Sequence, residues 1–226
     1  MSAIDGELVA RVLPGAYFAF IAAFYTWRII LLGRRRGASP IHRGQPRSRP
    51  WRNRRLFVAM RLVILALMLG RALWPPLDRW LIPLGPLWLT PVMLTGDLLL
   101  ALSFAGVLLV HRQMGDAWQS GMAPEGPPRL VTQGAYAWVR HPSFSLVLLG
   151  QLGLFLAVPS LFTLICLLLG GRTLLSQAHL EDLQLRERFG AEFDRYATQV
   201  PPWPWPMTRR SEANYKGGLA RKDFIP

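Results

Sequence analysis

Residues 143–175 read SFSLVLLGQLGLFLAVPSLFTLICLLLGGRTLL: an apolar run to 158, a Pro159-Ser160 break, and a second apolar run from 161. Only a helix satisfies its own backbone hydrogen bonds in hydrocarbon, so two such runs parted by a two-residue breaker predict a tight helical hairpin in a membrane. At about 1.5 Å per residue the first arm falls just short of a bilayer, which calls for neighbouring helices to shield its ends. Working back along the chain, three longer apolar stretches qualify as spans: 8–33, 56–74 and 87–110. The expected fold is an all-α integral membrane protein with about five transmembrane helices, the last two forming the hairpin, followed by a cytoplasmic helix.

Composition agrees. Hydrophobic residues make up 51% of the 226, and the mean hydropathy is positive at +0.24. Lys and Arg number 26 against 13 Asp and Glu, but the arginines cluster beside apolar runs. That placement fits membrane topology better than nucleic-acid binding, and no nucleic-acid partner is expected. Cys166 is the only cysteine, which excludes an intrachain disulfide framework and any multi-cysteine zinc site; no metal ligands are assigned. The first apolar stretch lacks a basic segment before it and is followed by Arg34, Arg35 and Arg36, the pattern of a retained anchor.

Segment 34–55 holds nine arginines, and further ones follow spans three and five, whereas the opposite loops carry little beyond Asp5, Glu7, Asp78 and Arg79. The positive-inside rule then puts the N-terminus outside and the C-terminus in the cytoplasm. A prokaryotic inner membrane suits so short and Arg-rich a chain. Three units are expected: N-terminal spans over 1–110 with the basic loop 34–55, a core over 111–206, and a basic tail over 207–226. The basic loop, rich in Pro, Ser, Gly and Arg, is expected to have little fixed structure and to favour anionic lipids. Arg61 and Arg71 within span two are expected to snorkel or face the bundle, and Asp97 in span three to pair with one of them. Trp203 and Trp205 are expected to anchor at headgroup level.

Chemistry concentrates in two segments. The first, 129–144, reads RLVTQGAYAWVRHPSF: Gly134 permits a turn, and Pro142 suits the first turn of the helix that follows. Arg140 and His141 therefore stand at a helix N-terminus, where unpaired N–H groups favour an anionic group. Ordinary anchoring at the interface accounts for the same residues. The second segment follows the hairpin with Gln177, His179, Glu181, Asp182, Phe189, Gly190 and Tyr196, then Val200-Pro201. Leu180, Leu183 and Phe189 form its apolar stripe, and Arg186 is spaced to pair with Asp182 on a solvated helix.

Together, Leu130-Val131, Gly134, Tyr136, Arg140-His141-Pro142-Ser143, Glu181-Asp182, Phe189-Gly190, Tyr196 and Val200-Pro201 resemble the C-terminal core of the isoprenylcysteine carboxyl methyltransferase family and its phospholipid methyltransferase relatives, over about 115–206. The resemblance implies a membrane-embedded enzyme that uses S-adenosylmethionine. Its cofactor contacts here would be Leu130, Val131, Tyr136, His141, Pro142, Ser143, Phe144 and Glu181, and its catalytic residues Arg140, Glu181 and Asp182. A lipophilic substrate would enter from the bilayer and be methylated on a carboxylate, as a prenylcysteine-like acid is. Two positions depart from the family: Gln177 stands where carboxyl-methylating relatives carry an Arg, and Phe144 replaces a frequent Tyr. N-methylation of a lipid amine, an NADPH-dependent sterol-type reductase and a non-catalytic anionic-lipid-binding protein are the alternatives.

Overall fold

A computed structural model of the chain describes residues 3–123 and 126–205; the basic tail 207–226 lies outside the described residues. Among the described residues six α-helices follow one another: α1 Ala3–Arg36, α2 Arg49–Leu73, α3 Thr90–Met114, α4 Pro142–Ala157, α5 Leu161–Phe189 and α6 Ala191–Gln199. The protein is an all-α integral membrane protein: α1, α2, α3 and α5 are long and apolar enough to cross a bilayer, and α4 is the shorter apolar arm of the hairpin. Leu62, Leu98, Leu109 and Leu168 are more than half exposed on the helices' outer faces. In water such a surface would drive association, whereas in lipid it is the solvated face.

Local chemistry sets the helix starts. Ser48 caps α2, its Oγ accepting from the Trp51 amide, and Ser160 with Thr163 forms a reciprocal capping box that opens α5. α3 and α4 share the most extensive helix contact. Gly96 and Gly153 face each other there: a Cβ on Gly96 would lie 2.6 Å from the Gly153 carbonyl and closer still to the Ala157 nitrogen. With no hydrophobic drive between helices in lipid, this close backbone approach is what packing can offer. Gly96→Ala is therefore expected to cost about 1–3 kcal/mol through overpacking, read as a lower Tm of detergent-solubilised protein; an unchanged Tm would mean that the contact is slack.

Several expectations need correction. The fifth span and the acidic helix are one continuous α5, because no breaker occurs between 175 and 189; the helix stops at Gly190, whose φ of +52° suits a glycine. Asp97 pairs with neither arginine: its oxygens have no hydrogen-bond partner among the described residues. Arg71 instead bonds Asp78 at 2.7 Å, and Asp78 also takes Arg11 at 2.6 Å, which fastens α1 and α2 to the turn after them. Arg186 reaches Asp194 on α6 at 2.8 Å and leaves Asp182 to other partners. The basic loop is more ordered than its composition implies. The His42 amide donates to the Ser120 carbonyl at 2.8 Å and the Ser120 amide to Pro40 at 2.9 Å, a short ladder that satisfies main-chain groups on both segments.

Candidate functional site

Around the start of α4, three pieces of chain converge. The turn Gly134–Ala137 opens at Gly134, φ +65°, and the Ala135 amide is held by Gln113 Oε1 at 3.0 Å. His141 is the N-cap residue of α4 and Pro142 begins the helix. The chain after α6 returns alongside, with the Arg140 amide donating to the Pro201 carbonyl at 2.9 Å and the His141 amide to Pro202 at 3.3 Å.

A buried ion pair joins these pieces to α5. Arg140 Nε and Nη2 donate to Asp182 Oδ2 at 3.2 and 2.8 Å, and Nη1 donates to the carbonyls of Ala197 and Val200 at 3.1 and 2.7 Å. The other Asp182 oxygen lies 3.0 Å from His141 Nε2, while His141 Nδ1 is 3.9 Å from Glu181 Oε2. The imidazole thus lies between the two acids, its Nε2 edge toward Asp182 and its Nδ1 edge toward Glu181. Phe144 stacks on the ring at 5.7 Å, and Trp203 packs on it at 5.6 Å. Trp203 is 2% exposed, so it backs His141 and does not anchor in the headgroups; Trp205, stacked on it, remains exposed. The Tyr196 hydroxyl donates to the Tyr136 carbonyl at 2.7 Å, and the Tyr136 hydroxyl meets Met114 Sδ at 3.1 Å. Burial pushes the Tyr136 phenol up to about 12, so it stays a neutral donor at physiological pH.

Two cavities meet here. The first, about 800 Å³ counting its open mouth, is lined by Leu130, Val131, Tyr136, Arg140, His141 and Glu181, with Arg129, Gln184, Leu185 and Tyr196. The second, about 1180 Å³ on the same measure, lies between α1, α2, α4 and α5 and takes Ser143, Phe144, Gln177 and Glu181 into its wall. Gln119, Gly121, Met122 and Glu181 line both. Of the residues anticipated, six therefore border the first cavity and Ser143 and Phe144 the second. Pro142 and Asp182 are buried and line neither.

The first cavity suits S-adenosylmethionine: a carboxylate for a cationic amine or sulfonium, the Arg129 guanidinium for a carboxylate, rings and apolar side chains for a nucleoside, and volume in the range of small-molecule sites. Gln184 and Leu185, one turn beyond Glu181, were legible from helical spacing, whereas the contribution of the 119–122 segment carries no motif.

Residues 91–192 match the family model described as phospholipid methyltransferase, a family related to the isoprenylcysteine carboxyl methyltransferases. The match runs from the start of α3 into α6 and takes in the hairpin, His141, Glu181 and Asp182. No curated protein and no solved structure matches the chain.

Proposed function

We propose that this membrane protein, whose residues 91–192 carry phospholipid methyltransferase sequence, transfers a methyl group from S-adenosylmethionine to the carboxylate of a lipophilic substrate. The observation that carries the reading is Glu181 standing in the wall shared by a polar cavity and one that runs between the helices. When bound in the first cavity, S-adenosylmethionine supplies an electrophilic methyl, which passes to a carboxylate oxygen as its bond to sulfur breaks and S-adenosylhomocysteine leaves.

The chain's own residues have the tasks of alignment and exclusion of water. Tyr136, Leu130 and Val131 enclose the nucleoside end, and Glu181 fixes the charged end and offsets its positive charge in a water-poor pocket. His141 orients Glu181 from the side opposite Asp182. Arg140, whose nitrogens are engaged with Asp182 Oδ2 and with main-chain carbonyls, and Asp182 act as positioning residues. A carboxylate acceptor is already ionised at neutral pH and needs no general base. An amine acceptor would have to lose a proton, and Glu181 is the group placed to accept it. The basic 34–55 segment supports the orientation with the site in the cytoplasm and the N-terminus outside, and it favours anionic lipids nearby.

Calorimetry on detergent-purified protein tests the reading. S-adenosylmethionine and S-adenosylhomocysteine are expected to bind with micromolar affinity and NADPH not to compete. Binding of NADPH alone would establish a reductase, and binding of none of the three would leave a non-catalytic protein.

A further inference from the structure

Arg61 sits halfway along the membrane-crossing helix α2, where a charge without a partner is costly. The comparable arginines have found oxygen. Arg71 bonds Asp78, and Arg28 donates to the carbonyls of Gly115 and His111 at 2.8 and 3.4 Å. Arg61 has only rings: its Cζ lies 4.6 Å from the Tyr25 centroid and 4.8 Å from that of Phe57, and it makes no hydrogen bond or ion pair among the described residues. The ring faces offset part of the charge, but they leave the N–H donors of the guanidinium unsatisfied.

Those donors face space. Arg61 lines the large cavity shared with Glu181 and also a smaller, mostly apolar one beyond it, walled by Phe18, Ile21, Met60, Ile64 and Leu154. Arg54, two turns nearer the cytoplasmic end of α2, lines the large cavity with Arg43 and Asn53. One Arg54 nitrogen is committed to Ser120 Oγ at 2.8 Å. Asn53 donates to Ser176 of α5 at 3.0 Å, which places this stretch of α2 beside Gln177. Among the described residues Glu181 is the one carboxylate in the wall, and it stands at the border with the first cavity. The compartment is therefore cationic inside a membrane protein, and its positive charge comes from α2 and the loop before it while position 177 is a neutral amide.

We infer that Arg61 and Arg54 are the anion-recognising pair of the acceptor compartment, selecting an amphiphile that carries a carboxylate or phosphate group, with its hydrocarbon tail directed to the small apolar cavity. This rests on the methyltransferase reading for what is done to the ligand, but not for its binding. A charge-assisted hydrogen bond from guanidinium to the anion would also satisfy donors that the fold leaves open.

The test uses the full chain in discs of zwitterionic phosphatidylcholine with saturating S-adenosylhomocysteine, and a hexadecanoate bearing a mid-chain diazirine as photolabel. Label is expected on α1, α2 and α4 peptides. Unlabelled hexadecanoate and hexadecyl phosphate should compete, their ratio showing which anion is preferred, while hexadecanol and hexadecylamine should not. Arg61→Gln and Arg54→Gln should each reduce labelling about tenfold, the loss expected for one charge-assisted hydrogen bond, and Arg61→Lys should restore part of it. Competition by hexadecylamine equal to that by the acids, or unchanged labelling in Arg61→Gln, would overturn the inference. Calorimetry with S-adenosylhomocysteine alone keeps the two readings apart: failure to bind sinks the methyltransferase reading, and normal binding by Arg61→Gln shows that lost labelling reflects the acceptor compartment and not a collapsed fold.

Discussion

Asp182→Ala is expected to destabilise the detergent-solubilised protein by about 3–5 kcal/mol, because it leaves the Arg140 guanidinium buried without its counter-charge. Arg140 is 8% exposed and Asp182 fully buried, so water cannot replace the lost partner. The damage should reach beyond stability. Arg140 also holds the carbonyls of Ala197 and Val200, and Asp182 Oδ1 lies 3.0 Å from His141 Nε2, so the pair joins the start of α4, α5 and the segment after α6 in one wall of the first cavity. The double variant Arg140→Met with Asp182→Leu should lose less than the sum of the two single changes, with a coupling of about 2 kcal/mol or more. Thermal unfolding of the four proteins measures it. Additive losses would mean that the two side chains act independently and that the ion pair is not what fastens the wall.

How much of this was legible in the sequence depends on whether an interaction is local. The hairpin was, because Val158-Pro159-Ser160 interrupts two apolar runs and Ser160 with Thr163 is a capping pair three residues apart. The helix-terminal place of His141 was, through Pro142. The family resemblance drew attention to Glu181, and its position four residues beyond Gln177 put both on one face of α5. Partners distant along the chain were not legible. Asp182 has Arg186 at a favourable helical spacing, yet its partner is Arg140, 42 residues away, since desolvated charge is worth pairing and an exposed pair contributes little. Trp203 resembles an interfacial anchor until the 201–203 segment is seen hydrogen-bonded to Arg140 and His141. The ladder between Pro40, His42 and Ser120 joins two segments without any hydrophobic period, so no pattern announces it. That ladder also brings the 119–122 segment against both cavities, and for this reason the second cavity had no sequence signature.

The proposed roles of the two cavities also give the first 90 residues, which lie outside the family match, a part in function. Residues 91–192 supply the turn, the hairpin and the acidic helix, which on the proposed reading are the parts that would hold the methyl donor. α1, α2 and the loop between them supply Tyr25, Arg43, Arg54, Phe57 and Arg61 to the second cavity, the compartment proposed for the acceptor. A donor common to many enzymes and an acceptor particular to one impose different demands, and the proposed reading assigns the second mainly to the segments before residue 91.

Glu181→Ala is expected to weaken S-adenosylhomocysteine binding about ten- to a hundredfold and to leave the fold intact, the opposite of the Asp182 result. The two acids are neighbours on α5, but their surroundings differ. Asp182 is fully buried and engaged, whereas the Glu181 side chain is 36% exposed, opens onto both cavities and has His141 Nδ1 no closer than 3.9 Å. Removing it strips no counter-charge from a buried cation, so Tm should move by no more than about 2–4 °C, the shift for roughly 1 kcal/mol in a chain of this size. A charge-assisted hydrogen bond to a ligand amine in a water-poor site is worth about 1.5–3 kcal/mol, which amounts to roughly ten- to a hundredfold; loss of the long-range attraction to a cationic centre adds to it for S-adenosylmethionine. The methyl donor should therefore suffer more than its neutral-sulfur product. Glu181→Gln separates the two contributions, since it retains a hydrogen-bond acceptor and lacks the charge. If Gln restores binding of the product but not of the donor, the carboxylate acts on the sulfonium. Equal loss of both would instead place Glu181 on the amine or ribose, and unchanged binding of both would remove it from the cofactor site.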